Sequence, residues 1–282
     1  MATKYNLALA SHLDGLSDRF GAYPAVSQGD DSLSFNQLRD LAYSTADNLS
    51  REGLQPGDRV GLRVENEMAH FSLVVSLLLL GAEHIAVPSF ASLEEVAGLL
   101  GKIKAKMLID DADSRRLLSP QRLVSGQTGR PTQAGGVFLR TSGSVEQSRF
   151  VFFDVNKLVL QANNSPVADG TSFLRFAHVE HNASRRHRLY AFLRGAHNVF
   201  LPPGKSWISD PVIVKNNGVN TVEMARSHLQ SLVSEKVPKA MWRGLDFFVS
   251  GSPVPPELRM LFMDKVSPIF FVRYGATEAG TL

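Results

Sequence analysis

The chain has 282 residues, 44% of them hydrophobic and 20% charged, with a formal net charge of +3 and no cysteine. This composition is globular and argues against disorder, and the charge is too mild for nucleic-acid binding, which needs many clustered Lys and Arg. The lack of cysteine removes disulfides, thiolate nucleophiles and Cys-based zinc sites, and fits a reducing, cytoplasmic setting.

The start, "MATKYNLALASHLDG", has no long apolar core and soon meets Asp14, so it does not read as a secretory signal. "SFNQLRDLAYSTADNLSREG" opens with Ser34 and has Gln37 three residues on, a capping box. Leu38, Leu41, Ala42, Thr45 and Leu49 then recur at helical spacing, and Gly53 ends the run. "LQPGDRVGLRV" is a turn feeding a strand near 59–64. Asn66 caps an apolar helix that runs through Leu80; its greasiest part, "FSLVVSLLLLGA", is too short for a bilayer, which needs about 20 residues. "EHIAVP" is a strand, "SLEEVAGLLGKI" a helix opened by Ser92, and "AKMLID" a further strand. Right-handed crossovers would make this β-α-β-α-β series a parallel sheet with helices on its faces.

From Asp113 to Gly136 the pattern dissolves into Ser, Gly, Gln, Pro and Thr, which reads as a surface linker. The alternation then resumes. "GVFLRTSGS" is a strand entering a loop, "DVNKLVLQANN" a helix, "TSFLRFAHV" a strand and "SRRHRLYAFLRG" a helix stopped by Gly195. "HNVFLPPG" is a strand and "VEMARSHLQSLVSE" a helix. "LDFFVSGSP" is strand plus turn, "PPELRMLFMDKV" a helix with Pro at its start, and "PIFFVRYG" the last strand. The fold class is α/β, two successive α-β-α units with mostly parallel sheets: 1–136 with its linker, and 137–282 carrying the chemical motifs. Ligands in such folds sit at the carboxyl ends of the strands.

Three motifs stand at strand ends. Thr141, Ser142, Gly143 and Ser144 suit a phosphate, since the backbone approaches closely at Gly143 and the hydroxyls donate, with Arg149 as a counter-charge. Taken alone, the same residues make an ordinary Ser/Gly hairpin turn. Ser250-Gly251-Ser252-Pro253 would let a flat ring lie on the backbone, or is plain strand-to-helix turn chemistry. In "YGATE", Tyr274 offers an aromatic face, Thr277 a hydroxyl, and Glu278 a hard oxygen for magnesium; the bland version is a turn with a solvated Glu. Residues 173–199 hold five Arg, which read as a solvated helix face, against the single acid Glu180. His178 and His181 form an H-x-x-H pair, but no carboxylate or Cys is spaced to complete a tetrahedral metal site.

The order T-S-G-S, strand-end His, S-G-S-P, Y-G-A-T-E resembles the adenylate-forming superfamily, which includes acyl-CoA synthetases, luciferases and the adenylation domains of peptide synthetases. The resemblance runs from about Ser34 to the end, and takes in "PGDRVGL", "GAEHIAVP", "LRGAHNVF" and "NNGVNTVEMARSHLQSL". It implies an AMP-forming acid–thiol ligase. A carboxylate attacks the α-phosphate of ATP to give an acyl-adenylate and pyrophosphate, and a thiol, of coenzyme A or a carrier-protein phosphopantetheine, displaces AMP. On this resemblance Thr141 to Ser144 and Arg149 belong to the loop over the β- and γ-phosphates, and His181 stands near the carboxylate, with His178 second. Gly251, Ser252 and Pro253 border the adenine, Tyr274 and Gly275 lie along it, Thr277 holds the α-phosphate, and Glu278 holds Mg2+. The partners implied are a small carboxylic acid and possibly a carrier protein, with no nucleic acid and no membrane; the sequence specifies neither the acid nor the oligomeric state.

The chain departs from the family pattern T-S-G-T-T-G-x-P-K-G. Glu146 replaces a Gly, Ser148 the Pro, Arg149 the Lys and Phe150 the last Gly. A carboxylate in a triphosphate cradle is repulsive, and Arg keeps the Lys charge without its geometry. The family also continues past Y-G-x-T-E into a barrel and a C-terminal lid with a catalytic Lys. The expectation is therefore an N-terminal portion, slow or inactive alone, since losing one transition-state contact costs about 100-fold or more. The rival expectation is a non-catalytic relative that binds a nucleotide or acyl ligand or serves as an interaction module. A dinucleotide oxidoreductase would need a G-x-G-x-x-G after the first strand, which is absent.

Overall fold

A computed structural model describes residues 5–119, 132, 134–140, 149–163, 169–202, 212–234, 239–273, 275–276 and 280–281. The elements run α1 (Leu7–Phe20), β1 (Pro24–Gln28), β2 (Asp31–Ser34), α2 (Phe35–Arg51), β3 (Arg59–Leu62), α3 (Glu67–Leu80), β4 (Glu83–Ala86), α4 (Leu93–Ile103), β5 (Met107–Ile109), α5 (Asp111–Leu117) and β6 (Gly136–Arg140). They continue β7 (Phe150–Asp154), α6 (Val155–Ala162), β8 (Ser172–Arg175), α7 (Asn182–Leu193), β9 (His197–Phe200), α8 (Val212–Asn216), β10 (Thr221–Ala225), α9 (Arg226–Ser234) and a 3-10 turn (Lys239–Trp242). The last are β11 (Asp246–Ser250), α10 (Pro256–Lys265), β12 (Phe270–Val272) and a small hairpin, β13 (Gly275–Ala276) with β14 (Gly280–Thr281).

Local chemistry sets the helix starts as the sequence predicts. Ser34 and Gln37 close a capping box on α2, and Ser92 with Glu95 does the same on α4. Asn66 caps α3 by accepting from the Ala69 amide, and Gly81 ends that helix in the left-handed region at φ 87°.

The strands form two large sheets. One has the order β5-β3-β4-β6-β7, and the other β12-β11-β10-β8-β9-β1-β2. Both are parallel except at one edge, where β7 and β2 run antiparallel to their neighbours. The helices α3 and α7 lie between the sheets. Phe71 of α3 packs on Phe200 of β9 (ring centroids 5.8 Å apart), while the same buried cluster includes Val60, Leu62 and Val137 of the five-stranded sheet. Burial on both sides is why α3 is apolar nearly all round. Outside, α4 covers the five-stranded sheet with Val96, Leu99 and Ile103 against Ile85. The helices α9 and α10 cover the other sheet with Leu229, Leu232 and Phe262 near Val222, Met224, Phe247 and Val249.

Four expectations change. The helix read over "VEMARSHLQSLVSE" is a strand through Ala225 and a helix only from Arg226, because β10 is a central strand buried on both faces and its apolar run has no helical period. The segment after Asp113 does not dissolve at once: Asp110 caps α5 through a box with Asp113. The sheets do not divide at 136/137, since β1 and β2 join the later strands and β6 and β7 the earlier ones. The fourth concerns the basic helix. Arg185, Arg186 and Arg188 are not a solvated face; they are buried in the layer between the sheets. Arg188 donates to the carbonyls of Val199 (3.0 Å) and Arg175 (2.8 Å) and lies 4.1 Å from the Phe200 ring centroid. Burial pushes both the Arg185 and the Arg188 guanidinium down to about 10, still protonated at neutral pH.

Candidate functional site

The carboxyl ends of β8, β10, β11 and β12 lie side by side. From them emerge three of the stretches the sequence singled out: 176–181 after β8, Ser250–Pro253 after β11, and 273–278 after β12. What ties them is a buried carboxylate. In strand β10 the side chains of Val222 and Met224 face the outer helices, so Glu223 points inward toward α7. It is fully buried and accepts from four groups: Arg175 Nη1 at 2.6 Å, His187 Nδ1 at 2.9 Å, Arg273 Nη1 at 3.2 Å and Ser250 Oγ at 3.2 Å. Burial alone would raise the Glu223 carboxyl, but Arg175, then His187, then Arg273 hold it well below the usual carboxylate range. Burial, reinforced by Arg175, lowers His187, which donates as a neutral ring.

The cluster has a direct bearing on the motifs. Ser250 is the first residue of the S-G-S-P turn, and Arg273 immediately precedes Tyr274. One carboxylate thus pins two of the motif-bearing strand ends. The Arg273 amide also donates to the Val249 carbonyl (2.8 Å), and its guanidinium lies 3.9 Å from the Phe248 ring centroid. Gly251 turns the chain away at φ +90°, in the left-handed region that glycine enters freely. Ser252 and Pro253 are exposed, and Arg226 at the head of α9 donates to the Pro253 carbonyl at 3.4 Å.

The stretch 176–181 is fixed to the other sheet's rim. Glu67, in the first turn of α3, accepts from the Val179 amide at 2.7 Å. Glu180 accepts from the Ser89 amide at 3.0 Å, just beyond β4. His178 lies 3.3 Å from the Glu65 carbonyl and 3.5 Å from Glu180. These bonds set His181 as the N-cap residue of α7, with its side chain uncommitted to a cap bond. Partial burial, then the neighbouring His178, lowers the His181 imidazole, so at neutral pH it is an uncharged donor and acceptor.

Arg149 leads into β7 on the edge of the five-stranded sheet, whereas Gly251–Pro253 follow β11 of the seven-stranded sheet. β6 and β7 pair antiparallel, Arg140 opposite Phe150. Thr141, Ser142, Gly143, Ser144 and Glu146 lie outside the described residues, as do Tyr274, Thr277 and Glu278. Gly275 is described through its backbone, paired with Thr281. Among the described residues no group of three or more His, Asp or Glu is placed to hold a metal ion. No described helix is long and apolar enough to cross a membrane.

Sequence reading missed Arg175, His187, Glu223 and Arg273 as a unit. The available signal was Glu223 itself, a lone carboxylate inside the apolar run "TVEMA". Such a residue in a central strand requires buried partners.

Comparison with known proteins bears on the fold. Residues 16–133 match the family model described as AMP-binding enzyme. The N-terminal subdomain of Klebsiella oxytoca NpsA in complex with 3-hydroxybenzoyl-AMSN is similar at TM-score 0.82 and 19% identity, covering 95% of this chain and 72% of that one. O-succinylbenzoate coenzyme A synthetase (MenE) of Bacillus subtilis in complex with AMP is similar at 0.80 and 17%, covering 95% and 74%. An artificially fused adenylation–PCP di-domain, NpsA–ThdA of Klebsiella oxytoca, is similar at 0.83 and 21%, covering 96% and 57%.

Proposed function

We propose that this chain, which has the fold of the N-terminal portion of adenylate-forming enzymes and matches the AMP-binding model over residues 16–133, binds ATP and a carboxylic acid and supports acyl-adenylate formation. The observation that supports the reading is the Glu223 tie, which binds both Ser250, the first residue of the S-G-S-P turn, and Arg273, the residue before Tyr274. A substrate carboxylate oxygen attacks the α-phosphorus, and pyrophosphate leaves with its electron pair.

The chain's own residues take the following parts. Gly251, Ser252 and Pro253 border the adenine, with Tyr274 and Gly275 along it. Thr141 to Ser144 and Arg149 face the outer phosphates, and Thr277 the α-phosphate. The neutral His181 positions the attacking carboxylate by hydrogen bonding, without trapping it as a tight ion pair. Magnesium would fall to Glu278, and the described residues offer it no other site. The acceptor thiol is coenzyme A or a carrier-protein arm; the PCP fused in one structural neighbour and the coenzyme A synthetase named in another support both.

The alternative, a non-catalytic binder of the same fold, is favoured by Glu146 in the phosphate loop. The test has two parts: pyrophosphate exchange into ATP over a panel of carboxylic acids, and calorimetry with an acyl-sulfamoyl-adenosine. The expected result is binding of the analogue that is lost on Thr277→Ala, with exchange on the order of 100-fold or more below that of a complete ligase. Binding without any exchange would establish the alternative, and absence of binding would overturn both.

A further inference from the structure

A cavity lies away from the motif rim, on the outer face of the seven-stranded sheet toward its β1–β2 edge. It encloses about 860 Å³, within the range of small-molecule sites. One wall is aromatic: Phe20, Phe35 and the largely exposed Tyr23. The floor is a cross-strand row of Ser27 on β1, His197 on β9 and Ser172 on β8.

The direction of the hydrogen bonds in this row is determined. Ser172 Oγ donates to the Asn217 carbonyl at 2.8 Å, so it accepts from His197 Nδ1–H at 3.1 Å. His197 Nε2 is then the bare nitrogen, and accepts from Ser27 Oγ at 2.7 Å. Burial lowers the imidazole to about 4, so the ring stays neutral and the relay keeps this direction above that pH. Both serine protons are consumed within the relay, which leaves the Ser27 and Ser172 oxygens able only to accept.

The charges on the wall have the same bias. Asp30 and Asp31, exposed at the β1–β2 turn, have no ion-pair partner among the described residues. Arg19, the one Lys or Arg among the lining residues, is already paired with Asp169. A site that offers acceptors, two carboxylates and an aromatic wall is complementary to a ligand with a cationic donor on an apolar body.

We infer that this cavity binds a small arylalkyl amine, its ammonium toward Asp30, Asp31 and the serine oxygens and its ring against Tyr23 and Phe20. The site is separate from the adenylate site and stands or falls independently of it. The experiment is calorimetry or ligand-observed NMR on the full chain with 2-phenylethylamine and its neutral counterpart 2-phenylethanol. The amine is expected to bind at least tenfold more tightly than the alcohol. The double variant Asp30→Asn/Asp31→Asn, at an exposed turn that leaves the core untouched, should bring the two within about twofold. Tyr23→Ala should weaken both. Equal affinity for amine and alcohol in the unaltered protein, no binding of either at millimolar concentration, or an amine preference that survives the double variant would overturn the inference.

Discussion

Glu223→Gln is expected to lower the stability of the fold by about 3–5 kcal/mol, the cost of removing one partner from a buried ion pair. The substitution preserves shape but leaves the Arg175 and Arg273 guanidiniums with no counter-charge at that position. An exposed ion pair would not behave this way: Arg39 with Asp40 contributes about 0–1 kcal/mol. Denaturant midpoints at pH 7 compare the variants directly. The functional consequence follows from the same geometry. Ser250 and Arg273 lose their shared anchor, so adenylate-analogue affinity should fall even at temperatures where Glu223→Gln remains folded. A variant within 1 kcal/mol of the parent would show that the cluster does not hold the rim.

The second large effect is a steep loss of stability in mild acid. His70, His84 and His187 are buried, and all three are lowered chiefly by burial, His70 to about 3. In the unfolded chain each takes up a proton below about pH 6.5, whereas the folded chain leaves it neutral. Stability is therefore complete above pH 6.5 and falls as the pH drops toward the folded values. His70 and His84, the two strongly lowered rings, each contribute about 1.4 kcal/mol per pH unit, hence about 3 kcal/mol per unit together, and His187 adds to this while its folded ring stays neutral. Glu223 adds to the loss at lower pH: its depressed carboxyl stabilises the fold above the unfolded value and is lost as pH falls through the folded one. Against a typical stability of about 5–15 kcal/mol, unfolding should set in between about pH 5 and 4. His84 provides the control, because neither ring nitrogen has a hydrogen-bond partner among the described residues. His84→Leu should shift the acid midpoint downward and leave the protein no less stable at pH 7. A melting temperature unchanged from pH 7 to 5 would contradict this.

Much of the fold was legible because its signals are local. The helix starts at Ser34, Asn66 and Ser92 are fixed by side chains within a few residues of each helix end. What sequence could not supply was tertiary. Nothing local separates a solvated Arg helix from one filling the space between two sheets, so Arg185 and Arg188 were placed on the wrong side of the surface. Strand β10 was read as helix because burial on both faces erases the alternation that marks a strand. The antiparallel edges β2 and β7 depend on pairings beyond any local pattern. The sequence showed the order of the motifs but not the tie between two of the strand ends that carry them: Glu223, whose partners Arg175, His187 and Arg273 lie 36 to 50 residues away in sequence.

The central claim is that strand ends far apart in sequence form one rim around an adenylate. A crystal structure of the chain with an acyl-sulfamoyl-adenosine tests it most directly. The expected result is the adenine against 251–253 and 274–275, the sulfamoyl group beside Thr277, and the acyl end toward His181. An analogue that seats elsewhere, the outer cavity included, or that contacts only one of these segments, would contradict it.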